Sequence, residues 1–157
     1  MGKIEVKGID TLIAFTAGLA KEADSIIKAS MYDGAKILAD EARNATEALH
    51  AEDGGAKPPK YINSIQKKGL LKGLGVARYR KEDGKWMTVI GFSGYNDLKT
   101  KKYPQGQPNA MIARSVESGT SWQTKEPFMR KAANRAKARA TEAVQQTFSK
   151  EIERRQK

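Results

Sequence analysis

Seven apolar residues at four-residue steps, Phe128, Ala132, Ala136, Ala140, Val144, Phe148 and Ile152, constrain this chain more than any other feature. An α-helix brings such positions onto one stripe. Pro127 stands just ahead of them, at a first helical position where proline's missing amide hydrogen costs nothing. Three of the seven are alanine, which lets a second helix approach closely. From Lys125 to Lys157 there are ten Lys or Arg against four Asp or Glu, so this segment carries +6 of the chain's +11. The predicted helix over 125–157 therefore buries a small-residue stripe and turns a basic face outward. Arg135, Lys137 and Arg139 on that face are candidate contact residues.

The N-terminal third has the same period. Asp10 stands where an N-cap belongs, and Leu12, Phe15, Leu19, Ala23, Ile26, Ile27, Met31, Ala35, Leu38, Ala42, Ala45 and Leu49 step by three and four. A helical region is predicted over 10–50, preceded by an arm or strand over 1–9. Gly18 and Gly34, each costing a helix about 1 kcal/mol relative to alanine, mark where it would bend or divide. Asp53, Gly54, Gly55, Pro58 and Pro59 then make 51–60 a loop.

Strand-forming residues dominate 61–92, after a helical turn around Tyr61, Ile62 and Ile65. Lys81-Glu82-Asp83-Gly84-Lys85 has the composition of a hairpin turn, and Trp86 to Phe92 reads as its second arm. The polar segment 93–109 is too long for a simple connection, which makes it a candidate assembly loop, with Lys99, Lys101 and Lys102 as candidate contact residues. A strand or turn is expected over 110–124, a short helix being the alternative for 110–116. The fold class expected is α+β: a long N-terminal helical region and a C-terminal helix packed on a small antiparallel sheet.

At 157 residues the chain has the length of one domain, enough to bury about two-thirds of its unfolded surface. There is no cysteine, which excludes disulfides, thiolate nucleophiles and cysteine zinc sites. The first ten residues mix charges without an apolar core of signal-peptide type, and no apolar run approaches the ~20 residues that span a bilayer. A soluble protein made in a reducing compartment is expected. The excess of 29 Lys and Arg over 18 Asp and Glu favours an acidic partner, either nucleic acid or an acidic protein surface.

Catalytic signals are weak. His50 is the one histidine, beside Glu47 and Glu52 at the end of a predicted helix, where the helix dipole explains it better than acid–base chemistry does. Gly69-Leu70-Leu71-Lys72-Gly73-Leu74-Gly75 lacks the Gly-Lys-Ser/Thr ending of a phosphate loop, and its leucines suit a strand. Acidic residues are scattered among basic ones and suggest no metal cluster. The expectation is a protein that is not an enzyme and has no cofactor or metal.

The most specific run is Ile112-Ala113-Arg114-Ser115-Val116-Glu117-Ser118-Gly119-Thr120-Ser121, followed by Glu126-Pro127-Phe128-Met129-Arg130-Lys131-Ala132. It resembles the tail-completion, or head–tail connector, family of long-tailed bacteriophages, related to the small minor tail or neck protein of lambda-like phages. In that family alanine, arginine, two variable positions, glutamate, an aromatic, glycine and threonine precede a proline–phenylalanine pair that opens the last helix. Ala113, Arg114, Glu117, Gly119, Thr120, Pro127 and Phe128 stand at those positions, and Ser118 replaces the aromatic. The order of elements agrees over nearly the whole chain.

What the resemblance implies is a structural virion subunit, assembled in the bacterial cytoplasm. It would form a ring, often a hexamer, that ends a finished tail tube and joins the tail terminator to the head connector. DNA contact would be incidental and no membrane is involved. The motif residues would then act structurally, leaving the loop and basic helix as contact surfaces. The alternative is a basic nucleic-acid-binding protein that grips phosphates with the C-terminal helix.

Overall fold

The computed structural model describes residues 20–55 and 57–156. The expectations for 1–19, namely the arm, the Asp10 cap, the apolar positions Leu12, Phe15 and Leu19 and the bend at Gly18, lie outside the described residues. The elements are α1 (Ala20–Glu47), α2 (Ser64–Gly73), β1 (Leu74–Val76), β2 (Arg80–Glu82), β3 (Lys85–Met87), β4 (Ile90–Phe92), α3 (Asn109–Ser118) and α4 (Phe128–Gln156). The class is α+β, with the strands all antiparallel.

Helices α1 and α4 form an antiparallel pair along most of their length. Ala132, Ala136, Ala140, Val144 and Phe148 are buried against Ile26, Ile27, Leu38, Ala42 and their neighbours. Positions four apart on a helix of 3.6 residues per turn drift by about 40° per step, so the stripe meets a different neighbour at each end. Phe128 and Ala132 join Ala45, Leu49, Leu70, Phe92 and Val116, whereas Phe148 joins Ile26, Ile27 and Met31 at the opposite end.

Gly34 does not divide the helix as its helix-weakening character suggests; α1 is continuous through it. A Cβ there would stand 2.5 Å from Val144 Cγ2 and 3.1 Å from the Ala140 carbonyl oxygen. Gly34 thus lets the backbone of α1 lie directly against α4, and that packing offsets its weak propensity.

The helical turn expected around Tyr61, Ile62 and Ile65 is the start of a longer element, and the strand expected from Leu70 onward needs correction up to Gly73, because 64–73 is helix α2. Asn63 accepts the amide of Gln66 at 2.9 Å and the Gln66 side chain accepts the amide of Asn63 at 3.0 Å, a reciprocal cap that nucleates a helix. Leu70, fully buried, lies in that helix and not in a strand, and Leu74 opens β1. The glycines of the same run serve packing. A Cβ on Gly69 would meet Asn96 Cβ at 2.4 Å, and one on Gly73 would meet the Ser93 carbonyl oxygen at 2.3 Å.

Beyond Leu74 the chain makes one long hairpin. β1 pairs with β4 (Leu74 opposite Phe92, Val76 opposite Ile90), and β2 pairs with β3 (Arg80 opposite Met87, Glu82 opposite Lys85). The turn at Asp83-Gly84 has φ of 49° and 75°, the two positive angles of the tight turn that matches strand twist. Ala77 still bonds Val89, so the leading arm holds one residue more than the facing arm before pairing resumes at Arg80 and Met87. Such a bulge bends a ribbon. Past it, Tyr79 and Trp86 pack on the apolar cluster at the far end of the helix pair.

Of the strand and the short helix open for 110–116, the structure has the helix, so the strand expected within 110–124 needs correction. Helix α3 occupies Asn109–Ser118, because Ile112, Ala113 and Val116 at three- and four-residue spacing bury one face.

Candidate functional site

The residues of the motif meet at one corner. α3 ends at Gly119, whose φ of 73° is unfavourable for a side-chain-bearing residue and whose added Cβ would lie 2.9 Å from Lys125 Cβ. The next turn is closed on itself: Thr120 donates its amide to the Gln123 carbonyl at 3.0 Å, and Gln123 donates its amide to Thr120 Oγ1 at 2.9 Å. Gln123 Nε2 and the Thr124 amide both donate to the Lys60 carbonyl, at 3.2 and 2.8 Å, tying the turn to the 51–60 loop.

Glu117 then caps α4. Its carboxylate accepts the amides of Met129 at 2.9 Å and Arg130 at 3.2 Å. Those amides have no partner within the helix, and a negative charge beside them also opposes the helix dipole. The helix starts at Phe128, and the Pro127 carbonyl accepts the Lys131 amide, so proline stands at the threshold of the first turn. Phe128 is buried with its ring centroid 5.8 Å from that of Phe92. Ala113 is in the core. Arg114 differs from the rest: it is exposed and has no ion-pair partner among the described residues.

The segment 93–108 has neither helix nor extended strand but is folded back on itself. Tyr95 bridges Pro108, and Asn96 donates its amide to the Gln107 carbonyl at 2.9 Å. Thr100 and Tyr103 exchange both backbone hydrogen bonds, at 3.0 and 3.1 Å, leaving Lys101-Lys102 as a two-residue tip. The buried Asn96 side chain accepts the amides of Leu98 at 2.9 Å and Gln107 at 3.3 Å, while buried Asn109 donates to the Ser93 carbonyl at 2.8 Å. Lys99, Lys101 and Lys102 are exposed; Lys102 Nζ stands 5.5 Å from the Tyr103 ring centroid.

The three helix positions picked from sequence do not form one surface. Arg135 Nε and Arg139 Nη2 both bind the Glu41 carboxylate of α1, at 2.8 and 3.1 Å, whereas Lys137 lies on another side of α4. Arg155 is bound by Glu151 and Glu22, and hydrogen bonding to Glu151, the larger influence, raises its pKa further. Arg154 also binds Glu151, at 3.0 Å.

His50 is exposed and lies edge-on to the Tyr61 ring, 4.3 Å between centroids. Trp86 donates Nε1 to Asp24 at 3.0 Å beneath Lys28 and Lys81, and Trp122 is 58% exposed on the Thr120–Gln123 turn. Burial raises the pKa of Tyr79, with Tyr32 and Asp33 adding to the shift.

Sequence reasoning did not single out Glu41, Asn96, Asn109 or Gln123. Each bonds a residue eleven or more positions away, Glu41 to Arg135 and Arg139, Asn96 to Gln107, Asn109 to Ser93 and Gln123 to Lys60, and local spacing does not mark such pairs. Among the described residues no group of three or more His, Asp or Glu is gathered to hold a metal ion, and no helix is long and apolar enough to cross a membrane. No family model, curated protein or solved structure matches this chain.

Proposed function

We propose that this chain is a structural subunit of a long-tailed bacteriophage or phage-derived particle, one that completes the tail end and joins it to the head connector as part of a ring. The observation that carries this reading is the motif itself, from Ala113 to Thr120 and on to Pro127-Phe128, in the order the tail-completion family has it. Its geometry supports the same reading: Glu117, Gly119 and Thr120 serve to lock the last helix against α3, which suits a scaffold. Arg114, the exposed motif residue without an ion-pair partner among the described residues, would then face a neighbouring subunit or a tail protein.

The other reading, a nucleic-acid-binding protein gripping phosphates with α4, is less well supported. Four of that helix's arginines, Arg135, Arg139, Arg154 and Arg155, already bind carboxylates.

The test is electron microscopy of particles from a producing strain in which this chain's coding sequence is interrupted. Separate heads and tails, joined again when the wild-type chain is supplied, are expected. Intact particles in normal numbers without the chain would overturn the proposal. Supplying Arg114→Ala instead should rejoin fewer particles while leaving the purified protein folded.

A further inference from the structure

The cations of this chain are unequally committed. Four of the eight cations of α4 are matched, Arg135 and Arg139 to Glu41 and Arg154 and Arg155 to Glu151, and on the β2–β3 hairpin Arg80 meets Glu82 and Lys81 meets Asp24. At the tip of the 93–109 loop, three lysines fall within four residues, all exposed, and none has an ion-pair partner among the described residues. The single carboxylate of that segment belongs to Asp97. The tip is also pre-formed, because reciprocal bonds between Thr100 and Tyr103 fix its turn and the buried Asn96 side chain fixes its base.

We propose that Lys99, Lys101 and Lys102 form a contact for the phosphate backbone of nucleic acid. Lysine ammonium groups act as point charges toward phosphates, and phosphate contacts do not require a pocket. Protein interfaces, in contrast, are depleted in lysine and built around buried apolar or arginine anchors, which this tip lacks. A turn ordered before binding loses little conformational freedom when it docks. The inference does not depend on the tail-completion reading, and it assigns phosphate contact to the loop instead of to the basic terminal helix.

The test compares two variants of equal charge in the full chain. One is Lys99→Gln, Lys101→Gln, Lys102→Gln; the other is Lys131→Gln, Lys137→Gln, Lys150→Gln, three exposed cations of α4 without ion-pair partners among the described residues. Fluorescence anisotropy with a labelled duplex oligonucleotide, and with one of its strands alone, reads affinity across a salt series. The loop variant is expected to lose about tenfold or more at moderate salt, and its log–log salt slope to fall by about 2 to 3, since each phosphate contact contributes roughly 0.9 on a duplex and 0.7 on a single strand. The α4 variant is expected to lose less than about threefold.

Whichever oligonucleotide shows the loop-dependent loss identifies the form of nucleic acid bound. Equal losses in the two variants would mean that net charge alone acts, and would overturn the proposal. So would failure of the wild-type chain to bind either oligonucleotide, or loop-dependent binding of polyglutamate that neither oligonucleotide displaces, which would assign the tip to an acidic protein surface. Circular dichroism melting of both variants, expected to match the wild type, separates lost contact from lost fold.

Discussion

Replacing Gly69 with alanine should destabilise this protein, although the same change in a solvent-facing helix would stabilise it by about 1 kcal/mol. An added Cβ would stand 2.4 Å from Asn96 Cβ, 2.7 Å from Asn109 Oδ1 and 3.1 Å from Asn96 Cα, where ordinary contact begins at 3.4 Å. The overlap with Asn96 Cβ is therefore about 1 Å, and it falls on the stem of the side chain, which cannot swing away. Asn96 and Asn109 are 3% and 2% exposed, so relief must come from moving α2 or the root of the 93–109 loop.

Overpacking of this kind costs about 1–3 kcal/mol. Weakening the Asn96 and Asn109 hydrogen bonds adds about 1 kcal/mol for each one lost. After the gain in helix propensity, the net loss is about 2–3 kcal/mol, a fall in Tm of about 5–10 °C for a chain of this size. Urea unfolding followed by circular dichroism measures it, with Gly75→Ala as control, since an added Cβ there meets nothing within 4 Å. A Gly69→Ala variant as stable as the wild type, or more stable, would refute the close-packing argument.

Other changes test the remaining contacts. Glu117→Ala should cost about 1 kcal/mol in urea unfolding, while Glu117→Gln, which keeps an acceptor oxygen but not the charge, should cost less. Glu41→Gln removes a carboxylate that is only 16% exposed from two arginines that are 57% and 62% exposed, so its loss should stay below about 1 kcal/mol and shrink with added salt. Asp53 accepts the Ser64 amide, which holds its pKa below the ordinary 3.8. A depressed carboxylate contributes stability that is complete above its unfolded pKa and disappears as pH falls through the folded one. Asp53→Asn should therefore flatten the decline of the urea midpoint between about pH 5 and about pH 2 relative to wild type, and an unchanged slope would contradict it.

Periodicity made the two long helices legible. The stripe from Phe128 to Phe148 and the spacing from Ile26 to Leu49 bury the residues their periods select. The Asp83-Gly84 turn was equally legible, because backbone angles barred to most residues leave a compositional mark. Helix α2 was legible only around Ile65, because its leucines suit a strand as well as a helix and what extends it is the reciprocal cap of Asn63 and Gln66.

The site was legible in part. The motif named the corner, yet its seven letters could not say that Glu117 caps the helix Pro127 introduces, since the two lie in different elements. Sequence alone determined the class of fold, the helical periods and the excess of positive charge, all of which are properties of neighbouring residues or of the whole composition. Tertiary structure alone decided which charges are spent. Glu41 reaches Arg135 and Arg139 across the α1–α4 seam, while the lysines of the 93–109 tip meet no carboxylate among the described residues, and pairing between segments so far apart in sequence leaves no local pattern to read.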